Sequence, residues 1–379
     1  MNNTTNSADI LNSIKNMDEN FATYIIMFFV IIGILIIGGF IFYYKDYLQN
    51  ADCNLMNNLY PSKDGYIIPI SSSDQDCSGS LYDYYIKTAY NSCSGGSYTN
   101  DYVDICSLKS ILKQGVRGLD FEIYSIDNEP VVATSISDNY YVKQTFNSVK
   151  FADVMNTIQN YAFSDGTAPN YTDPLIIHLR CMSTNQEMYN NLASLFASYD
   201  SIMLGKEYSF ENQGKNLGQV PLTDLKNKCV LIVEKINNAF LENESFLEYI
   251  NLVSNSIFMR AFNYTDVANN HDVTELTNYN RRGLTIVFPD NKTNPSNPSN
   301  PSGILCREYG CQMVAMRYQK VDNFLEENKL FFDRSRYAFS LKPQRLRYTP
   351  VVIPEPEKQK EAYNYATKNI STDYYSFNY

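Results

Sequence analysis

The stretch FATYIIMFFVIIGILIIGGFIFYY, residues 21–44, runs for 24 residues without a charge. As a helix rising about 1.5 Å per residue it reaches roughly 36 Å, enough to cross a hydrocarbon core of roughly 30 Å with a little tilt. Asp18 and Glu19 bound it on one side, Lys45 and Asp46 on the other. A secretory signal would show a basic start, a shorter apolar run and a small-residue cleavage site. A buried core helix would show a polar face. The stretch has none of these, so one membrane-spanning helix is expected. Its orientation is weakly coded: only Lys15 precedes it, and only Lys45 and Lys63 follow closely, which leaves the positive-inside bias little to act on. Six of the eight cysteines (Cys53, Cys77, Cys93, Cys106, Cys306 and Cys311) lie in loop-like sequence, as disulfides of an oxidising compartment would. Cys181 and Cys229 sit in strand-like runs that suit small buried thiols. Sequons at Asn170, Asn243, Asn263, Asn291 and Asn369 point the same way. The soluble part is therefore expected on the external or luminal side.

With 44% hydrophobic and 19% charged residues, the remainder forms a core. A net charge of −10 with no run of like charges excludes nucleic acid as a partner. It also excludes a polybasic membrane-surface patch. Residues 1–20 read as a polar tail and residues 45–80 as an irregular connector rich in Asn, Ser and Asp. Strand-like segments follow at 84–91, 118–126, 129–135, 174–180, 228–234, 284–290, 312–319 and 337–343. Helical spacing appears in FADVMNTIQNYAF (151–163) and QEMYNNLASLFASY (186–199). Apolar strands alternating with amphipathic helices predict a parallel sheet covered by helices. About eight strands over residues 81–350 suit an α/β fold, a (β/α)8 TIM-type barrel. A doubly wound open sheet is the alternative, but no Gly-rich phosphate turn follows the first strand. NPSNPSNPS (294–302) reads as a loop. The polar, Tyr-rich tail 351–379 is left open between a packed arm and a disordered segment.

YIKTAYNSC, the strand bearing Asp120 and Glu122, FADVMNTIQNYAF, PLIIHLR and GCQMVAMRYQ…YAFSLKPQRLR occur in that order. Together, from about Tyr84 to Arg347, they resemble the X and Y halves of the phosphoinositide-specific phospholipase C barrel. The resemblance implies a phosphoric diester hydrolase in which one histidine takes the proton of the inositol 2-hydroxyl and a second serves the phosphate. It also implies a calcium ion held by an asparagine and three carboxylates. In-line attack needs a base titrating near neutrality, and a hard cation needs oxygen ligands. Similar barrels occur in large DNA viruses, and the Trp-free, Asn- and Tyr-rich composition suits an AT-rich source. Virion proteins and phosphorylated head groups are thus expected partners beside the lipid bilayer.

Carried over position by position, the resemblance puts Tyr90 and Thr134 where the two histidines belong. Asn91, Asp120 and Glu122 keep three metal positions, the two acids exchanged, and Arg180 stands where the last carboxylate should be. The lysines that meet substrate phosphates fall on Ile232 and Glu234, with Lys235 one register away, and a pocket arginine falls on Lys292. Arg117, Arg180 and Lys235 are the expected ligand-binding residues. Both acid–base groups are missing, and each contributes typically 10²–10⁴-fold. The chain has two histidines; His178 is expected to be packed in the barrel interior and His271 to be solvated. With Arg180 replacing a carboxylate, the cluster's formal charge changes from −3 to −1. The expectation is that the guanidinium takes the calcium's place and pairs with Asp120 and Glu122, leaving no cofactor or weak Ca2+ binding. The chain is therefore expected to be a membrane-anchored pseudoenzyme with a binding or structural role. An active hydrolase with an altered site is the alternative.

Overall fold

The computed structural model describes residues 19–136, 142–290, 296–350, 354–357, 363 and 366–379. The alternating segments resolve into strands β1 (Tyr84–Ala89), β2 (Gly118–Ile126), β3 (Glu129–Val132), β4 (Val149–Lys150), β5 (Leu175–Cys181), β6 (Cys229–Glu234), β7 (Leu252–Ser254), β8 (Met259–Asn263), β9 (Leu284–Phe288), β10 (Met313–Met316) and β11 (Phe339–Leu341). Eight of them pair in the order β7-β6-β5-β2-β1-β10-β9-β8, and every pairing on that path is parallel. The path stops between β7 and β8, so the barrel is nearly closed.

Period-two alternation sorts the side chains into two layers. Leu119, Phe121 and Ile123 of β2, Ile177 and Leu179 of β5, and Leu231 and Val233 of β6 face the outer helices in one apolar cluster. Ile86, Ile176, Val230, Ile232, Ile286 and Met313 fill the interior in another. The helices begin on side-chain caps that accept from otherwise unpaired first-turn N–H groups. Asp104 caps α2 (Ile105–Lys113), Asn185 caps α4 (Gln186–Ser198) and Asp322 caps α7 (Asn323–Ser335). Between α2 and α4, α3 (Phe151–Thr157) continues through Ile158–Ala162 as a π turn. After α4 come α5 (Val273–Asn280) and α6 (Gly303–Glu308).

Two of the eight expected strands lie off the barrel. The segment 129–135 contains β3, which pairs antiparallel with β2. Asp127 and Asn128 between them both have positive φ, 51° and 67°, and a two-residue turn of that kind joins only antiparallel strands. The segment 337–343 contains β11, antiparallel to β1. Their places in the barrel are taken by the short β7 and β8. Where an irregular connector was expected, the N-terminal helix α1 (Glu19–Leu59) runs on well past Tyr44. Across the apolar run nearly all of its described side chains are exposed, and it is long and apolar enough to cross a membrane.

Among the described residues one disulfide is present, Cys53–Cys106, and the other six cysteines are free and buried. Loop-like sequence thus overstated the number of disulfides. Of the sequons, Asn170 and Asn243 are buried and closed to glycosylation in the folded chain, whereas Asn291 lies outside the described residues. Residues 348–379 form a separate small unit in which β12 (Asn369–Ser371) pairs antiparallel with β13 (Ser376–Asn378).

Candidate functional site

The parallel register sets Asp120 opposite His178 and Glu122 opposite Arg180, all four on the inner face at the C-terminal end of the barrel. In parallel barrels that end carries the chemistry. Arg180 is the hub. Its Nε donates to Asp120 Oδ1 at 3.0 Å and its Nη2 to Asp120 Oδ2 at 2.7 Å, a two-point pairing. Nη1 donates to Glu122 Oε1 at 2.9 Å, and Nη2 also donates to Asn91 Oδ1 at 2.7 Å. Asn91 follows β1 at a left-handed φ of 44°, which Asn tolerates better than most residues. That bend turns its N–H to Asp120 Oδ2 (3.2 Å) and its amide nitrogen to Glu122 Oε1 (3.1 Å). Glu122 Oε2 accepts from the Tyr124 hydroxyl at 2.9 Å and the Ser135 N–H at 3.0 Å. With the contact of His178 Nδ1 to Asp120 Oδ1 at 2.9 Å, each of the four carboxylate oxygens has at least two hydrogen-bond partners, as buried charges require.

Burial by itself would push the Asp120 carboxyl up, but the Arg180 guanidinium and the bonds from His178 and Arg180 outweigh it and hold the group at about 2. Burial also works against the Arg180 charge, yet Asp120 and the other anionic neighbours keep its pKa well above the ordinary value. The guanidinium carbon lies 4.7 Å from the Tyr90 ring centre and 5.3 Å from that of Phe288, two aromatic faces that favour a cation. The pairing expected from charge is present: the guanidinium lies among the oxygens that the resemblance would give to calcium. That ion takes six to eight oxygen ligands, whereas here the oxygens converge on a cation that supplies five N–H donors. The residues present do not fit a resident calcium ion.

His178 is buried, as expected of an interior residue, but it is not merely packed. Its Nδ1 is 2.9 Å from Asp120 Oδ1 and its Nε2 is 2.9 Å from Ser254 Oγ. Asp120, His178 and Ser254 thus form a hydrogen-bonded chain across β2, β5 and β7. Sequence reasoning missed Ser254 because its strand is only three residues long. Glu234, opposite Ser254, accepts from the Asn255 amide at 3.1 Å, and burial pushes its carboxyl up.

The remaining candidates divide. Tyr90 is buried against Tyr98 and Phe288, and burial raises its phenol further from neutrality. Thr134, fully buried, donates its hydroxyl to the Tyr98 carbonyl at 2.9 Å. Neither titrates near neutral pH. Arg117, expected to meet ligand, lies instead just before β2, at the other end of the barrel from the cluster. Its Nη2 donates to the carbonyls of Ala162 (2.9 Å) and Asn170 (2.5 Å), so it ties loops together, and burial lowers its pKa to about 10. Lys235 is exposed just beyond β6 and its N–H donates to the Ser254 carbonyl; its side chain is not part of the cluster. Ile232 is buried in the interior. Lys292 lies outside the described residues, and His271 is exposed as expected.

Residues 77–235 match the X domain, and residues 237–345 the Y domain, of phosphatidylinositol-specific phospholipase C. Among solved structures, L. pealei PLC21 is similar in fold, with a TM-score of 0.57 and 19% identity over 72% of this chain and 38% of that one. S. officinalis PLC21 gives a TM-score of 0.56 and 17% identity over the same shares, 72% and 38%. The chain thus spans well under half the length of either solved relative. No curated protein matches it.

Proposed function

Since the chain carries the X and Y domains of phosphatidylinositol-specific phospholipase C, we propose that it is a phospholipase-C-like barrel that no longer hydrolyses phosphodiesters and serves instead in binding or assembly at a membrane. One observation carries this reading: the Arg180 guanidinium is bonded to Asn91, Asp120 and Glu122 together. A cation built into the chain neutralises the acids, and the two positions for acid–base groups hold Tyr90 and Thr134. Fold by itself does not establish activity.

A second reading, an altered but active phosphoric diester hydrolase, draws on His178. An imidazole between a carboxylate and a hydroxyl is an arrangement that can move a proton. Its burial in the interior, with Asp120 already engaged by Arg180, places this reading second.

The test uses the full chain in lipid nanodiscs containing phosphatidylinositol, with and without calcium, and with metal analysis of the same sample. No release of inositol phosphate and no bound calcium are expected. The variant Arg180→Glu, which restores a third carboxylate, is expected to gain calcium binding. Calcium-dependent turnover by the natural chain, abolished in Asp120→Asn, would overturn the proposal in favour of the second reading.

A further inference from the structure

α1 does not end where its apolar run ends. It continues without a Gly or Pro from Lys45 to Leu59, so this docked stretch lacks the residues that ordinarily kink a helix. Its last turns are built into the barrel wall: Met56 is buried in the same cluster as Leu108, Ile111 and Leu112 of α2, together with Tyr60 just beyond the helix. Cys53 is bonded to Cys106 of α2, and the Tyr60 hydroxyl donates to the Tyr318 carbonyl at 2.7 Å.

The direction of docking follows from these contacts. In a barrel of this type each helix starts at the C-terminal, mouth end of the preceding strand. Cys106 is at the start of α2, whereas the Asp64 N–H bonds the carbonyl of Lys113 at its end. Traced back from residue 64, the chain therefore climbs the wall toward the mouth. Asp52 rests on the loop between β1 and α2, where a Cβ on Gly96 would lie 2.9 Å from its carboxylate. Lys45, the first residue after the apolar run, has its Nζ 4.8 Å from the ring of Phe146, in the loop between β3 and β4. Asp52 and Tyr44 are eight residues apart, about 12 Å of helix.

The elements on this face carry exposed apolar side chains: Val142 (52% exposed) and Phe146 (38%), Ile304 (62%) in α6, and Val321 (50%) and Phe324 (41%) after β10. We propose that α1 is a rigid strut that holds the barrel mouth against the bilayer its own apolar run crosses, with Val142, Phe146, Ile304, Val321 and Phe324 resting in that lipid surface. The occupant is fixed by continuity: the helix that docks beside the rim is the helix that enters the membrane. The inference rests on the membrane role proposed above and adds an orientation, so that the site opens toward lipid in cis.

The natural chain has no Trp, so single tryptophans report alone. Full-length Phe146→Trp, Phe324→Trp, Phe28→Trp within the apolar run and Tyr66→Trp near the opposite end of the barrel are reconstituted in phosphatidylcholine vesicles with and without brominated acyl chains. Quenching at Phe146→Trp and Phe324→Trp is expected to be at least three-fold greater than at Tyr66→Trp. Inserting Gly-Gly-Ser-Gly between Gln49 and Asn50 is expected to reduce it by half or more while Phe28→Trp stays quenched. Quenching at Phe28→Trp without an excess at the two rim positions would overturn the orientation, and undiminished rim quenching after the insertion would overturn the strut. If Phe28→Trp is not quenched, α1 does not span and the inference falls with that premise. Rim quenching together with phosphodiester turnover would leave the orientation standing and remove only the non-catalytic reading.

Discussion

Replacing Arg180 by Met keeps much of the side chain's length and removes its charge, leaving Asp120 and Glu122 buried side by side. Three of the four hydrogen bonds lost run to carboxylates. Asp120 is held at about 2, below the ordinary carboxyl value of 3.8, and at about 1.4 kcal/mol per tenfold change in acidity that depression is worth roughly 2–3 kcal/mol. His178 contributes part of that shift, while Glu122 loses its own bond to the guanidinium. Breaking a buried pair by removing one partner costs about 3–5 kcal/mol, so the two figures agree in size. With a urea slope of about 3 kcal/mol/M, the unfolding midpoint of the full chain in detergent is expected to fall by about 1–2 M. The loss has a pH signature. In the natural chain the depressed Asp120 pKa stabilises fully above the unfolded value, and that contribution is lost as the pH falls through about 2. In Arg180→Met the adjacent carboxylates resist ionising together, so the variant recovers stability as the pH is lowered from 7 toward 4.5. The triple variant Arg180→Met, Asp120→Asn, Glu122→Gln is expected to regain much of the loss, because no uncompensated charge remains. A loss below about 1 kcal/mol in Arg180→Met, the range of exposed pairs, would refute the reasoning by showing that the guanidinium does not neutralise these acids.

Asp52, where α1 docks, has its carboxyl raised to about 8 by burial and then by its hydrogen bond to Asp101 and that residue's charge. Its contribution is fully present below the unfolded value and is lost as the pH rises through about 8. Melting temperatures of the full chain are therefore expected to decline over that interval, and Asp52→Asn to flatten the decline. Peptide mapping without reductant is expected to find Cys53 linked to Cys106 and the other six cysteines free. By chain entropy for a separation of 53 residues, Cys53→Ser is expected to cost about 4 kcal/mol, read as a lower melting temperature.

The apolar run, the strand–helix alternation and the two alternating acids of β2 were all legible in the sequence, because each is a local period that needs no partner to be read. The charge argument at Arg180 was legible too: residues two apart on adjacent parallel strands share a face, and a cation among acids pairs with them. Assigning individual strands was harder. The segment 129–135 has the apolar content of a barrel strand, but the turn Asp127–Asn128 folds it back on β2, while β7 and β8 are too short and too polar to announce themselves. Residues 45–59 are rich in Asn and Asp, poor helix formers. They are helical because Met56 and the Cys53–Cys106 link anchor them to α2, and packing outweighs propensity. Only the pairing of β2, β5, β6 and β7 decided which residues His178 would meet. Ser254 lies 76 residues further along the chain, and no local pattern encodes a hydrogen bond whose partners are brought together by the registers of separate strands.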